Sequence, residues 1–598
     1  MCGIAGIFNL NGDSVEREDV SGMIQAIVHR GPDEKGTYTE GNVGLGSCRL
    51  SIIDLKTGQQ PIHNEDKTLW IVFNGEIYNF IQLKRDLLKK GHKFYTQSDT
   101  EVILHLYEEL GEKCLTKLDG MFALAIWDST QKELLLARDP MGKKPLYWAS
   151  FERKFVFASE PKAILAFLGF KRAINKDSLP KYFFYGYVPS PETIFKNIRR
   201  LPAGSFFSIS QKGVGEIKSF WELDYSQKIN LSREEVKNKT EELLKMAVKK
   251  RLIADVPIGI FLSGGIDSSL VAAFVPDRRI EAFTIGFEDR KIDESAAAKD
   301  VAKHLGIKQN LKLFSDKEVT GILPQALELM DEPMADPSIL PTYLVSSFAR
   351  EKVKVVLSGD GGDENFAGYP KYLAHYLLEK TLLKNVPLHC PIGRPDGKFW
   401  SFLTYARFPL ELRNQLWLSS LSLAEVKRLT GYEVCFEDIE GYHQIFNGND
   451  PLDEALFLDQ KMTLADQFLV KVDRASMANG LEVRCPFLDK KLVEFAAKIP
   501  FGIKIKNFRK KSILREMAEG VLPKKIINLP KKGFGIPLGK WLEYSLRPLL
   551  KEYLSAKKIK QEGVLDPRVV TQILKDENWS AIWKLLVFEI WFEKWLGK

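Results

Sequence analysis

Two stretches of this chain run an apolar segment into a glycine-rich turn and then into a helical pattern: PIGIFLSGGIDSSLVAAFV (257–275) and VKVVLSGDGGDENFAGY (353–369). A third apolar run, EAFTIGF (281–287), precedes DESAAAKDVAKHLG (293–306), whose pattern predicts a helix ending at Gly306. Strands that are apolar throughout and alternate with helices predict a parallel sheet buried on both faces. Ligands on such sheets bind beyond the carboxyl ends of the strands, which is where both glycine turns fall.

The first turn reads Ser263-Gly264-Gly265-Ile266-Asp267-Ser268-Ser269. Glycines let the backbone approach a phosphate, and amides at a helix start point their hydrogens at it. The three serines add hydroxyl donors. Asp267 would repel a bare phosphate, so its presence implies a bridging Mg²⁺. A serine-capped strand-to-helix turn is the plainer alternative. No GxxxxGK[ST] occurs, which excludes the usual kinase and GTPase loop. In the second turn Asp360, Asp363 and Glu364 would repel one another unless a metal or cationic groups compensate. A solvated acidic turn is the alternative there.

At 598 residues the chain exceeds one ordinary core and predicts two to four domains. No apolar run approaches the ~18 residues that span a bilayer. A net charge of +8 is a weak bias over this length. The basic runs 504–511 and 524–532 suit a nucleotide phosphate as readily as a nucleic acid. Six scattered cysteines (2, 48, 114, 390, 435, 485) form no CxxC pair. That argues against a disulfide framework and a structural zinc site, and for a reducing cytoplasm.

The first two hundred residues read mainly as β. LWIVFNGEIYN (69–79) is a strand entering an Asn-Gly turn, MFALAIWDSTQKELLLARD (121–139) a hairpin, and KFVFASE (154–160) a strand. A helix is expected over 99–110, capped by Ser98 or Asp99. The polar segment 208–235 marks a junction, which divides the chain into 1–208, a linker 209–235, and 236–598, mostly helical beyond about 371.

SGGIDS resembles the pyrophosphate loop of ATP pyrophosphatases, which adenylate a substrate and release pyrophosphate. SGDGGDE, with Phe366 and Gly368-Tyr369, is similar to the SGxGxDE…GGY loop of the asparagine synthetase family. LEVRCPFLD (481–489) is close to that family's E-x-R-x-P-F-L-D, and RKKSILRE (509–516) resembles a motif with a lysine, here Lys511, near the phosphates. The chain's first residues extend the resemblance. Cys2 alone is either a small residue starting a buried strand or a nucleophile carrying thiol and α-amine together. MCGI is followed by HRGPD (29–33), RLSIID (49–54), NGEIYN (74–79) and SDTE (98–101), similar in order and spacing to the glutaminase domain of the family's glutamine-using members.

The resemblance implies an N-terminal-nucleophile αββα sandwich followed by an α/β ATP-pyrophosphatase domain with a parallel sheet and a helical C-terminal part. It implies that Cys2 attacks the glutamine amide with its own amine as base, and that Asn74 and Gly75 form the oxyanion hole. Arg49 is expected to hold the α-carboxylate, Glu76 and Asp99 the α-ammonium, with Leu50 and Ile53 completing the glutamine site. The implied ATP contacts are Leu262, Ser263, Gly264, Gly265, Asp267, Ser268, Ser269, Ile285, Ser358 and Gly359, with Mg²⁺ on Asp267 and Asp363. Lys511 would offset phosphate charge, and Asp360 would manage a proton near incoming ammonia. The implied reaction is asparagine synthesis from aspartate, ATP and glutamine through β-aspartyl-AMP, with ammonia passing between two sites. Asp360, where shorter members carry glutamate, and the segment 331–343 resemble a longer branch of the family. That branch includes amidotransferases acting on other carboxylates, such as sugar acids and peptide or antibiotic precursors. A non-catalytic scaffold would be expected to have lost Cys2 or Asp267. A nucleic-acid binder is disfavoured because WKLLVFEIWFEKWL (583–596) is too apolar to track phosphates. The expected partners are small molecules, without nucleic acid or membrane, and a homodimer is left open.

Overall fold

The computed structural model describes residues 2–289, 292–380, 404–529 and 535–597. Its first half stacks two antiparallel sheets. One runs in the order Ile198–Arg200, Tyr147–Phe151, Lys154–Ala158, Cys2–Asn9, Val43–Arg49, Glu34–Glu40. The other runs Gly213–Val214, Ser205–Ser210, Glu133–Arg138, Gly120–Asp128, Leu69–Ile77, Ile62–His63, with Lys218–Ser219 also on Ser205–Ser210. Alternating side chains meet between them: Ile4, Phe8 and Leu45 from one sheet interdigitate with Val72, Leu136 and Phe207 from the other. The outer face of the second sheet is covered by the helices Phe80–Lys89 and Glu101–Leu110. That of the first is covered by Arg17–Ala26. These layers make the αββα sandwich expected.

The 121–139 hairpin and the strand at 154–158 form where the pattern put them. The Asn74-Gly75 turn does not form. Both residues lie inside the strand Leu69–Ile77, with Gly75 opposite Phe122. A Cβ at Gly75 would stand 2.1 Å from the Met121 carbonyl oxygen, so this glycine admits the neighbouring strand. The helix expected from 99 begins at Glu101, because the Asp99 carboxylate accepts the Ile77 N–H (2.8 Å) instead of capping.

The second half carries a five-stranded parallel sheet in the order Gln309–Phe314, Glu281–Phe287, Ile258–Phe261, Val355–Leu357, Glu482–Arg484. The last strand, inside LEVRCPFLD, was not legible as one: three residues are too few for periodicity. The five described cysteines are free, and Cys390 lies outside the described residues, as do 530–532 of the second basic run. No described helix is long and apolar enough to cross a membrane. The helix Trp579–Trp595 is buried along most of its length, packing Phe588 on Tyr182 and Phe183.

A nearly continuous helical stretch, Pro451–Leu458, the π-helical Asp459–Phe468 and Leu469–Met477, lies against both halves. Its Asp473 receives Arg30 through two nitrogens (2.7 and 3.0 Å), while Arg30 also reaches Glu160 (2.6 Å). Arg474 pairs with Glu160 (2.8 Å) and Asp331 (3.0 Å). Arg200 pairs with Glu332 (2.7 Å) and Asp466 (3.2 Å). All these groups are buried, so each charge depends on its partners.

Candidate active sites

The first site is built where the two stacked sheets begin and end their strands. Antiparallel register sets Cys2 directly opposite Arg49. The Cys2 N–H donates to Asn74 Oδ1 (3.1 Å) from the facing sheet, and the Asn74 Nδ2, equally buried, has no hydrogen-bond partner. A buried, unpaired donor beside a thiol is costly unless something arrives to accept from it. The Arg49 guanidinium is held by the Ile53 and Asp54 carbonyls (2.8 and 2.7 Å) and by Glu34 (2.8 Å). Leu50 is buried beside it. Burial pushes the Cys2 thiol up, while Arg49 and the Leu50 N–H pull the other way. Burial raises Asp99 to about 6. Burial and the neighbouring Glu482 push the Glu76 carboxyl up, opposed by Arg484.

The second site is a cavity of about 710 Å³ at the carboxyl ends of the parallel strands. Leu262, Ser263, Gly264, Gly265, Asp267, Ser268, Ile285, Ser358, Gly359, Asp360, Asp363 and Lys511 all line it. Ser269 does not: it is fully buried in the helix Ile266–Phe274. Close backbone approach explains the glycines. A Cβ at Gly359 would stand 2.7 Å from the Ser268 nitrogen, and one at Gly368 would stand 1.9 Å from Asp363 Oδ1. Gly361 has φ +93°, a conformation that costs little only in glycine. The Lys511 ammonium pairs with Asp267 and with Asp363 (2.7 Å), answering the repulsion between these carboxylates. The Oδ1 of Asp267 is buried without a hydrogen-bond partner.

Residues 239–596 match the family model described as asparagine synthase, and residues 1–221 match that described as glutamine amidotransferase domain. "Asparagine synthetase [glutamine-hydrolyzing] 1" of Bacillus subtilis (strain 168) is 34% identical, over 99% of this chain and 96% of that one. The chain belongs to the asparagine synthase family. "Asparagine synthetase [glutamine-hydrolyzing] 3" of the same organism is 30% identical over 97% of this chain and 94% of that one. "Amidase chyE" of Penicillium rubens is 29% identical over 95% and 93%.

What motif reading in this family did not reveal is how the two sites touch. Arg484, at the end of the last parallel strand, extends its guanidinium to Glu76 of the first site (3.3 Å) while bonding Glu482 (2.5 Å) and the carbonyls of Arg251 and Ile253 (2.9 and 2.7 Å). Its own carbonyl accepts the Ser358 N–H of the second site (2.9 Å). The next residue, Cys485, lies 3.5 Å from Ser358 Oγ, which donates to Asp360 Oδ2 (2.6 Å). One strand end therefore contacts both sites with consecutive residues. Gln60 was also missed: its carboxamide clamps both backbone groups of Phe73 (2.7 and 3.0 Å) and stands 3.8 Å from the Cys2 sulfur. In the cavity, Lys471 pairs with Asp336 (3.1 Å) from the segment 331–343 and bonds Ser338 (2.8 Å). Glu364, raised to about 7 by burial, accepts from Tyr369 (2.6 Å).

Proposed function

We propose that this protein makes L-asparagine from L-aspartate, ATP and glutamine, with glutamine hydrolysis in residues 1–208, adenylation in 236–598, and 209–235 as the linker, the strands Gly213–Val214 and Lys218–Ser219 of that linker still pairing in the sandwich. The observation that carries the first half is Asn74, whose Oδ1 is engaged by Cys2 while its buried Nδ2 is left to a ligand. With Met1 removed, the Cys2 thiol gives its proton to its own α-amine and attacks the glutamine amide carbon. Asn74 Nδ2 and the Gly75 N–H receive the developing oxyanion, fixed in place before the reaction. The α-ammonium returns its proton to the leaving nitrogen as the C–N bond breaks, ammonia leaves, and water cleaves the γ-glutamyl thioester to glutamate. Arg49 binds the α-carboxylate, beside Leu50 and Ile53, and Glu76 and Asp99 the α-ammonium.

In the second half the β-carboxylate of aspartate attacks the α-phosphate of ATP, pyrophosphate leaves, and ammonia displaces AMP from the acyl carbon. Leu262, Ile285 and the two glycine turns hold the nucleotide, and Ser269 supports the turn from inside its helix. Asp267 and Asp363 suit Mg²⁺, since oxygen donors and a buried unpaired Oδ1 fit a hard cation. When bound, that ion would neutralise the phosphates. Lys511, relieved of both carboxylates, then faces the phosphate charge, and Asp360 takes a proton from the incoming ammonia. Lys471 and Asp336, already paired, are positioned to meet the two ends of an amino-acid acceptor.

The test is a reaction with ATP, Mg²⁺ and amide-¹⁵N glutamine, with and without aspartate. Labelled asparagine, AMP and pyrophosphate formed only with aspartate are expected. A Cys2→Ala variant should make asparagine from ammonium alone. Glutamate without asparagine or AMP would leave glutaminase intact and overturn aspartate as acceptor in favour of another carboxylate.

A further inference from the structure

Away from both sites, four side chains that are distant in sequence converge on one point of the first half. His105 and Glu108 lie one turn apart on the helix Glu101–Leu110, His92 follows the helix Phe80–Lys89, and Glu65 comes from the loop after the short strand Ile62–His63. One donor atom from each lies within 4.8 Å of all the others. The two histidines present their Nδ1 atoms. His105 Nδ1 is 2.7 Å from Glu108 Oε2 and 3.5 Å from Glu65 Oε2, and His92 Nδ1 is 3.4 Å from Glu108 Oε2 and 3.8 Å from Glu65 Oε1. Metal–ligand bonds of about 2.0–2.2 Å put tetrahedral ligands about 3.3–3.6 Å apart. Three of these four separations lie within a few tenths of an ångström of that range, the two to Glu65 being to different oxygens of its carboxylate.

The surroundings supply an independent observation. In metal sites the outer nitrogen of a ligating imidazole meets a carboxylate or carbonyl. Here the His92 Nε2 meets Glu109 Oε1 (3.1 Å), and the His105 Nε2, fully buried and without a hydrogen-bond partner, faces Glu101 Oε1 at 3.6 Å. The carboxylates are fixed as well: Asn64 donates to Glu108 Oε1 (2.8 Å) and the Lys93 N–H to Glu65 Oε1 (2.8 Å). Two neutral imidazoles and two carboxylates balance a divalent ion. The partial exposure of Glu65 and Glu108 leaves a way in.

We propose that Glu65, His92, His105 and Glu108 form a binding site for a divalent transition-metal ion of the zinc class. Cysteine spacing could not reveal it, because no thiolate takes part. The ion would tie the segment after one covering helix to the other. Glu101 of that second helix also anchors the Tyr95 and Thr96 N–H groups (2.9 and 2.8 Å), so the clamp would stiffen the loop that leads to Asp99. The competing account is a cluster of ion pairs with protonated imidazoles and no metal.

The test loads tag-free full-length protein with zinc sulfate, desalts it into excess Mg²⁺, and measures retained zinc by mass spectrometry. A single equivalent is expected in the wild type and in Asp267→Asn, which removes the nucleotide-site carboxylate. His92→Gln and Glu108→Gln should each lose it while keeping the wild-type far-ultraviolet spectrum. Cobalt loaded in place of zinc should give the strong visible absorption of tetrahedral coordination, absent in His92→Gln. A wild type that retains no zinc, or a His92→Gln protein that retains as much as the wild type, would overturn the site.

Discussion

If Asp99 holds the substrate's ammonium group, as proposed, glutamine hydrolysis should depend on its charge. It is buried, and burial raises it to about 6, so it is ionised at neutral pH and loses its charge as pH falls through that value. A neutral Asp99 cannot hold an ammonium group. The kcat/KM for glutamine hydrolysis, which reports the free enzyme, should therefore fall about tenfold per unit more steeply below pH 6 than above it. In Asp99→Asn it should start low and lose that limb. An unchanged profile in the variant would remove Asp99 from substrate binding. Cys2, Arg49, Asn74 and Asp99 could be singled out as candidates in sequence because their motifs stand in a fixed order. Gln60 and Lys471 were not, since a lone glutamine or lysine has no spacing signal and only the fold brings them to the sulfur and to Asp336.

At the scale of elements, the strand–glycine turn–helix pattern was readable because apolar strands, turn glycines and helix starts agree with one another. The short strand Glu482–Arg484 was not, although it joins the two sites. The Asn-Gly pair at 74–75 misled because turn propensity yields to a neighbouring strand that tolerates no Cβ. The same crowding makes a prediction for the second turn. At Gly368 a methyl group would stand 1.9 Å from Asp363 Oδ1 and 2.2 Å from Lys511 Cε. Gly368→Ala should lower ATP-dependent pyrophosphate release by two orders of magnitude or more and leave glutamine hydrolysis within about twofold, because the clash displaces groups of the second site alone. Equal loss of both activities would mean that the turn is structural for the whole molecule.

Across the whole molecule, buried arginine–carboxylate pairs join the halves, and nothing in the sequence pairs Arg30 with Asp473, 443 positions away. Removing one member leaves a buried charge short of a partner. Asp473→Ala should cost about 3 kcal/mol in denaturant unfolding, the low end of the usual range because Glu160 still faces Arg30. Loss of less than about 0.5 kcal/mol would mean that the network is relaxed by solvent. The broad division into a sandwich and a parallel-sheet region was legible from composition and period. The contact between the halves was not, because it depends on which buried charges find each other.

We propose that the two sites, joined through Arg484 and Cys485, act as one enzyme. The most direct measurement supplies amide-¹⁵N glutamine, aspartate and ATP together with a tenfold excess of unlabelled ammonium, and reads the isotope in asparagine by mass spectrometry. Direct transfer predicts asparagine that stays mostly labelled, with Arg484→Met shifting it toward the unlabelled form. Asparagine carrying the isotope ratio of the bulk ammonium would mean that ammonia escapes to solvent between the two sites and would contradict direct transfer.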